Sequence, residues 1–334
     1  MKRFIYGLVG VVCMCSMTLS VYAQTFNNTI QNRRYVEQEA QQKTVKTQKK
    51  QVACGHDVPI RVASFVTNPP FGWVDVVPGQ GSYPDQYFND GFAFVLFHSI
   101  ANKLGLTIKN VGYTSYYEAL KDLKNGDVDV LLGSYYDKRT LGAGTSILFP
   151  SYVKNPIIVV FKLGQERDVK SLDDLKGLKG GIRQEELLYS LLYDSIPEGV
   201  QMEQIAGSRE AYSQLMLGKI DYLVTSLYAA EAEVRRFKIT DKVSLTRVPL
   251  MEPELFYVFS SVSECRALKP QIEAQLRQEK ENSGYISNLL FDQVDKWADR
   301  FRYEEPLIDT LSKTVAPKMP EKASDIRIMP SPVQ

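Results

Sequence analysis

The chain has 334 residues, 44% apolar and 24% charged, with a net charge of +1. That leaves room for about two domains of ordinary composition. It excludes the basic excess of a nucleic-acid partner and the acidic tail of a cation store.

Lys2 and Arg3 precede an apolar stretch over 4–19, and Val21-Tyr22-Ala23 offers small residues where a signal peptidase reads. A signal peptide over 1–23 is expected, with an uncleaved anchor as the alternative. Cleavage removes two cations and no acids, taking the charge from +1 to −1. Residues 24–52 are rich in Gln, Lys and Thr and read as a disordered spacer.

Strands and helices then alternate. A strand is predicted over 60–65, a helix over 92–104 and a strand over 107–111. The next helix opens on Ser115 with Glu118 three residues on, the pattern of a capping box. Strands follow over 156–163 and 180–183, with helices over 185–193 and 228–237. A strand over 255–260 precedes two closing helices over 266–281 and 285–301. The segment 306–334 holds Pro317, Pro320, Pro330 and Pro332 and is expected to be a loose tail. This alternation is α/β grammar, with mostly parallel sheets flanked by helices.

One pattern occurs twice. Glu118, Ala119, Leu123, Gly126, Asp129, Leu131 and Ser134 fall in register with Glu210, Ala211, Leu215, Gly218, Asp221, Leu223 and Ser226. Each copy reads as an amphipathic helix, a glycine that stops it, an aspartate and a short buried strand. Two such units suggest two lobes whose matching strand ends, with their serines, face a shared cleft. Common βαβ grammar is the alternative reading.

Two cysteines follow the signal stretch, Cys54 and Cys265. An exported chain permits a disulfide between them, and two free thiols is the other possibility. Neither has His or Cys neighbours at metal-ligand spacing, and only His56 and His98 are present, so no protein metal site or cofactor is expected.

Taken in order, several segments resemble the family 3 bacterial extracellular solute-binding proteins. They are Pro70-Phe71-Gly72-Trp73, Gly91-Phe92, Leu104-Gly105, the run over 119–132 and Asp137-Lys138-Arg139. Phe149-Pro150-Ser151-Tyr152, the Ser-Leu-Asp-Asp-Leu-Lys-Gly run over 171–177, the second repeat and the closing helix over 286–297 complete the series. The resemblance covers roughly 60–297. It implies a two-lobed periplasmic binding protein type II fold that closes on a small ligand by hinge motion. Lobe 1 would hold 53–152 and 254–301, and lobe 2 the segment 153–253. Cys54 and Cys265 then fall in one lobe, which makes a bridge feasible.

By the same resemblance, Arg139 clamps a ligand carboxylate. Phe71, Trp73, Tyr135 and Tyr136 supply aromatic walls, and Ser134 and Ser226 donate hydrogen bonds. Arg183, Gln184 and Glu185 stand at a helix start suited to anions. Amino-acid binders carry an acid five residues after the repeat's aspartate, to pair with the ligand amine. Ser226 stands there, and Val95 replaces another expected acid. The implied function is a monomeric periplasmic protein that takes an amino acid or related carboxylate to an inner-membrane ABC permease. Two alternatives are an enzyme on the same fold, such as a cyclohexadienyl dehydratase with Glu185 as general acid, and a tethered sensory or partner-binding domain.

Overall fold

The structure, a computed structural model, describes residues 54–65, 67–77, 86–113, 115–137, 141–184 and 187–315. The expected signal peptide and spacer lie outside the described residues, as do Arg139 and Glu185.

The first lobe opens with β1 (Ile60–Phe65), β2 (Thr67–Asn68), β3 (Gly72–Val77), β4 (Gln86–Asp90) and α1 (Phe92–Lys103). It continues through β5 (Ile108–Tyr113), α2 (Tyr116–Asn125), β6 (Val130–Tyr135), β7 (Thr145–Ile147) and β8 (Val153–Lys154). The second lobe contains β9 (Ile157–Lys162), β10 (Lys179–Arg183), α3 (Leu187–Leu192), β11 (Gln201–Ile205) and α4 (Ser208–Met216). β12 (Tyr222–Ser226), α5 (Leu227–Arg236) and β13 (Val243–Leu245) complete it. The chain returns to the first lobe as β14 (Glu254–Ser260), then forms α6 (Lys269–Glu281), α7 (Ser283–Arg300) and α8 (Leu307–Val315).

The two main sheets share one plan. Strand order is β5-β1-β6-β14-β7 in lobe 1 and β11-β10-β12-β9-β13 in lobe 2. In each order one strand, β14 in lobe 1 and β9 in lobe 2, enters from the crossover between lobes and runs antiparallel to both its neighbours, while the other four share one direction. The sheets are therefore mixed, because a strand that arrives straight from the hinge has no helical crossover to turn it parallel. The two crossover segments pair with each other: Asn155 N–H donates to Pro253 O at 2.8 Å, and Ile157 N–H to Met251 O at 2.8 Å.

Strand alternation gives each sheet two packed faces. In lobe 1, Ile60, Val62, Leu132 and Phe259 join α1 residues Leu96, Phe97 and Ile100, while Ala63, Leu131 and Val258 join Ala119, Leu120 and Leu123 of α2. In lobe 2, Ile158, Val160 and Leu223 pack with Ala211 and Leu215 of α4, while Val159 and Val224 pack with Leu188 and Leu192 of α3.

The duplicated pattern has a hydrogen-bond basis. Gly126 and Gly218, with φ of 81° and 69°, end the two helices in the left-handed region that glycine adopts without strain. Asp129 Oδ2 then accepts the Arg61 N–H at 2.7 Å, and Asp221 Oδ2 accepts the Lys179 N–H at 2.8 Å. Each aspartate returns its own N–H to that residue's carbonyl, at 2.8 and 2.7 Å. The repeated Asp therefore sets the register of β6 on β1 and of β12 on β10.

Two sequence motifs prove to be halves of one contact. The first N–H groups of α1, on Phe92 and Ala93, donate to Pro70 O and Phe71 O, both at 2.9 Å. Gly91 precedes the helix at φ 105°, and a Cβ there would lie 2.6 Å from the Cα of Gly72. Gly91→Ala is expected to lower stability by about 1–3 kcal/mol, read as a lower urea midpoint at unchanged slope.

Three local differences from the sequence reading have simple causes. Ser115 does precede α2, but its side chain makes no capping hydrogen bond; the capping box forms instead at Ser171 and Asp174. The loose tail expected over 306–334 is helical at 307–315, because Leu307 and Leu311 fall four residues apart, on one helical face, and pack into the lobe 2 core. Residues 316–334 lie outside the described residues. The antiparallel ribbon β2-β3-β4 adds strands that the sequence reading does not predict. Cys54 and Cys265 are joined by a disulfide with their Cα atoms 5.2 Å apart.

Candidate ligand site between the lobes

Several elements that follow carboxyl ends of parallel strands converge between the lobes. α2 follows β5, Asp137 follows β6, and α3 follows β10. Their side chains bound two adjoining spaces that share Tyr117, Asp137 and Ser190.

The inner chamber is lined by Tyr116, Tyr117, Ser134, Tyr135, Asp137, Ser190 and Leu191, and its volume is about 20 Å³. That is room for about one water molecule. Hydroxyl groups dominate it. Ser134 Oγ donates its only proton to Tyr135 O at 3.0 Å, so the 2.8 Å contact with Tyr116 must have the tyrosine as donor. Burial pushes the Tyr116 hydroxyl up to about 12, with the Ser134 contact opposing it, so it stays protonated and able to donate. Asn155 Nδ2 donates to the Tyr135 hydroxyl at 2.7 Å. The Tyr152 hydroxyl and Asn155 Oδ1 are buried with no hydrogen-bond partner among the described residues.

The outer mouth has a volume of about 460 Å³, within the range of small-molecule sites. Tyr117, Leu120 and Lys124 of α2 and Asp137 line it from lobe 1; Tyr189, Ser190 and Tyr193 line it from lobe 2. The Tyr117 hydroxyl and Ser190 Oγ meet across the lobes at 3.3 Å.

Of the residues nominated from sequence, Ser134 and Tyr135 reach the inner chamber. Tyr136 is exposed beside it in sequence. Phe71 is buried in the lobe 1 core, edge-on to Phe92 and to Tyr228 of lobe 2 at 6.4 and 6.1 Å. Trp73 is buried against Trp297 and Val294. The sequence places Arg183 at the cleft, whereas the structure buries it within lobe 2. Its guanidinium donates to Ser208 Oγ at 2.9 Å and lies near Glu233, whose carboxyl is pushed up by burial against the pull of Arg236 and Arg183. Gln184 is exposed, with its N–H bonded to Ile205 O at 3.0 Å. Ser226 caps α5, accepting the Ala229 N–H at 3.3 Å. Tyr116, Tyr117, Tyr189 and Tyr193 were not nominated, although two Tyr-Tyr and Tyr-x-x-x-Tyr groupings just after strands were visible in the sequence.

Among the described residues no cluster of His, Cys, Asp and Glu is built to hold a metal ion, and no helix is long and apolar enough to cross a membrane.

Two lobes of one topology, joined by paired crossovers with a cleft at their strand ends, define the periplasmic binding protein type II fold. An amino acid ABC transporter substrate-binding protein from Streptococcus pneumoniae, bound to L-arginine, has this fold. It matches 72% of this chain and 95% of its own at 18% identity, with a TM-score of 0.55. A histidine kinase sensor domain similar to periplasmic binding proteins matches 73% of this chain and 96% of its own, at 18% identity and a TM-score of 0.55. The ancestral amino acid-binding protein AncCDT-1, described as a precursor of cyclohexadienyl dehydratase, matches 72% and 94%, at 19% identity and 0.53. At these identities the likeness shows the fold alone. No protein-family model and no curated protein matches the chain.

Proposed function

We propose that this chain is an exported solute-binding protein that captures a small polar solute, an amino acid or related carboxylate, between its lobes. It would pass that solute to an inner-membrane ABC permease, working as a monomer in the periplasm once the signal peptide over 1–23 is removed. The observation that carries this reading is the mouth of about 460 Å³ built from both lobes at the carboxyl ends of their strands. A ligand held there touches both lobes and so favours the closed arrangement, which is how this architecture couples capture to a change of shape. Arg139, two residues after Asp137, is the proposed carboxylate clamp. The described lining combines hydroxyl groups and two leucines with one Lys and one Asp, a mixture suited to holding a small polar solute.

The test is a thermal-shift screen against amino acids, carboxylates and small amines, with Arg139→Ala in parallel. A solute at a hundred times its dissociation constant should add about 2.7 kcal/mol to the stability of the native chain and nothing comparable to the variant. No shift from any compound in either protein would overturn solute capture, and an equal shift in both would overturn the Arg139 clamp alone.

A further inference from the structure

Tyr117 and Tyr193 are 62% and 60% exposed, on opposite lobes, and both line the outer mouth. Single exposed aromatic residues are common on protein surfaces. These two differ in being propped. Tyr117 stands edge-on to the Tyr116 ring at 5.6 Å and 80°, and Tyr116 is itself fixed by its bond to Ser134. Tyr193 leans on Tyr189 at 5.7 Å and 58°. Each lobe thus presents a supported tyrosine to one concavity. The inner chamber, where a ligand's backbone groups would have to sit to meet Ser134 and Tyr135, holds only about 20 Å³. The larger space therefore lies between the tyrosines.

Building on the reading of interlobe capture, we infer that the mouth selects a ring-bearing solute, held by its ring face against Tyr117 of one lobe and Tyr189 and Tyr193 of the other. Rings stack well on aromatic faces, and walls already in position lose little entropy when the ligand arrives. Lys124, Asp137 and Ser190 line the same space and offer a cation, an anion and a hydroxyl to the ring's substituents. An acyclic amino acid would leave both exposed tyrosine faces without a partner. The shared chemistry is the ring face, and it has two sources, an aromatic side chain or a pyranose.

The experiment is titration calorimetry on the full chain. L-tyrosine and L-tryptophan form one arm, methyl glucoside and N-acetylglucosamine a second, and L-arginine, L-glutamate and succinate an acyclic third. One ring arm should bind at least about tenfold more tightly than any acyclic solute. Tyr117→Ala and Tyr193→Ala should each weaken that binding about tenfold, and Tyr117→Phe should preserve it. Both positions are exposed, so the variants should melt with the native protein in the absence of ligand. Acyclic binding that Tyr193→Ala leaves unchanged and Arg139→Ala abolishes would overturn the ring selection while leaving solute capture standing. Silence in all three arms would overturn both.

Discussion

Asp129→Ala should lower stability by about 3 kcal/mol, while the equivalent Asp221→Ala should cost about 1 kcal/mol. The two aspartates do the same work on the neighbouring strand but sit in different surroundings. Asp129 is 1% exposed and accepts from the Arg61 N–H, the Arg61 guanidinium and the Ser263 hydroxyl, the last at 2.6 Å. Ser263 in turn accepts the N–H of Cys265, so the network runs from the first strand to the disulfide. Removing the carboxylate strands two buried donors, the Arg61 N–H and the Ser263 hydroxyl. The Arg61 side chain, 37% exposed, regains water and adds little. Asp221 is exposed, and its loss frees one N–H that water can reach. Urea unfolding of both variants decides the matter, and equal losses would mean that burial is not what separates the two copies.

The same network gives a pH dependence of known sign. Burial pushes the Asp129 carboxyl up, but hydrogen bonds from Arg61 and Ser263 and the Arg61 charge outweigh it and hold the group below its usual value. A carboxyl lowered in the folded state adds stability above its unfolded value, about pH 4, and loses it as pH falls through the folded value. Asp129→Asn should therefore flatten the acid side of the stability profile and change little near neutrality beyond a constant offset.

The repeat could be read because it is local: helix, glycine, aspartate and strand lie within about 17 residues and obey short-range rules. Gly91 and the Pro70-Phe71 segment were visible as motifs, yet their mutual contact depends on a chain reversal that periodicity does not encode. Arg183 carries the clearest lesson at the candidate site. A charged residue at a strand end reads as cleft-facing, but Arg183 is buried inside lobe 2, where it donates to Ser208 near the buried Glu233. The tyrosines of the mouth are illegible in the sequence for the opposite reason. On α2, on α3 and just after it they look like ordinary surface or core aromatics, and only the approach of these segments makes them face one space.

Trp297→Ala should be among the most destabilising single changes, at about 3–5 kcal/mol, because it opens the seam between the lobes. α7 belongs to lobe 1 by chain order, yet it packs along α5 of lobe 2. Trp297 is 5% exposed in a cluster with Trp73, Val294 and Ala232, the last from lobe 2. Arg236 of α5 lies 5.4 Å from the Trp297 ring and 3.7 Å from that of Phe301, and it also pairs with Glu304 at 3.3 Å. Arg235 pairs with Asp295 on the same seam. Beyond it, the Leu307 N–H donates to Phe237 O at 3.1 Å, and α8 lies on the lobe 2 core, so the chain straps the lobes a third time after its two crossovers. Phe291→Ala, on the same helix but 48% exposed, should cost under about 1 kcal/mol. A double-mutant cycle of Arg236→Ala with Trp297→Ala should give a coupling of about 0.5–2 kcal/mol; a coupling of zero would mean the stacking is incidental. The mechanical consequence follows from the position of the seam. With α5 held against α7, the proposed capture of a solute predicts opening by rotation about this edge, which parts Tyr117 from Ser190. Trp297→Ala should then raise the radius of gyration seen by solution scattering, and saturating ligand should bring it back down only if the mouth can still close.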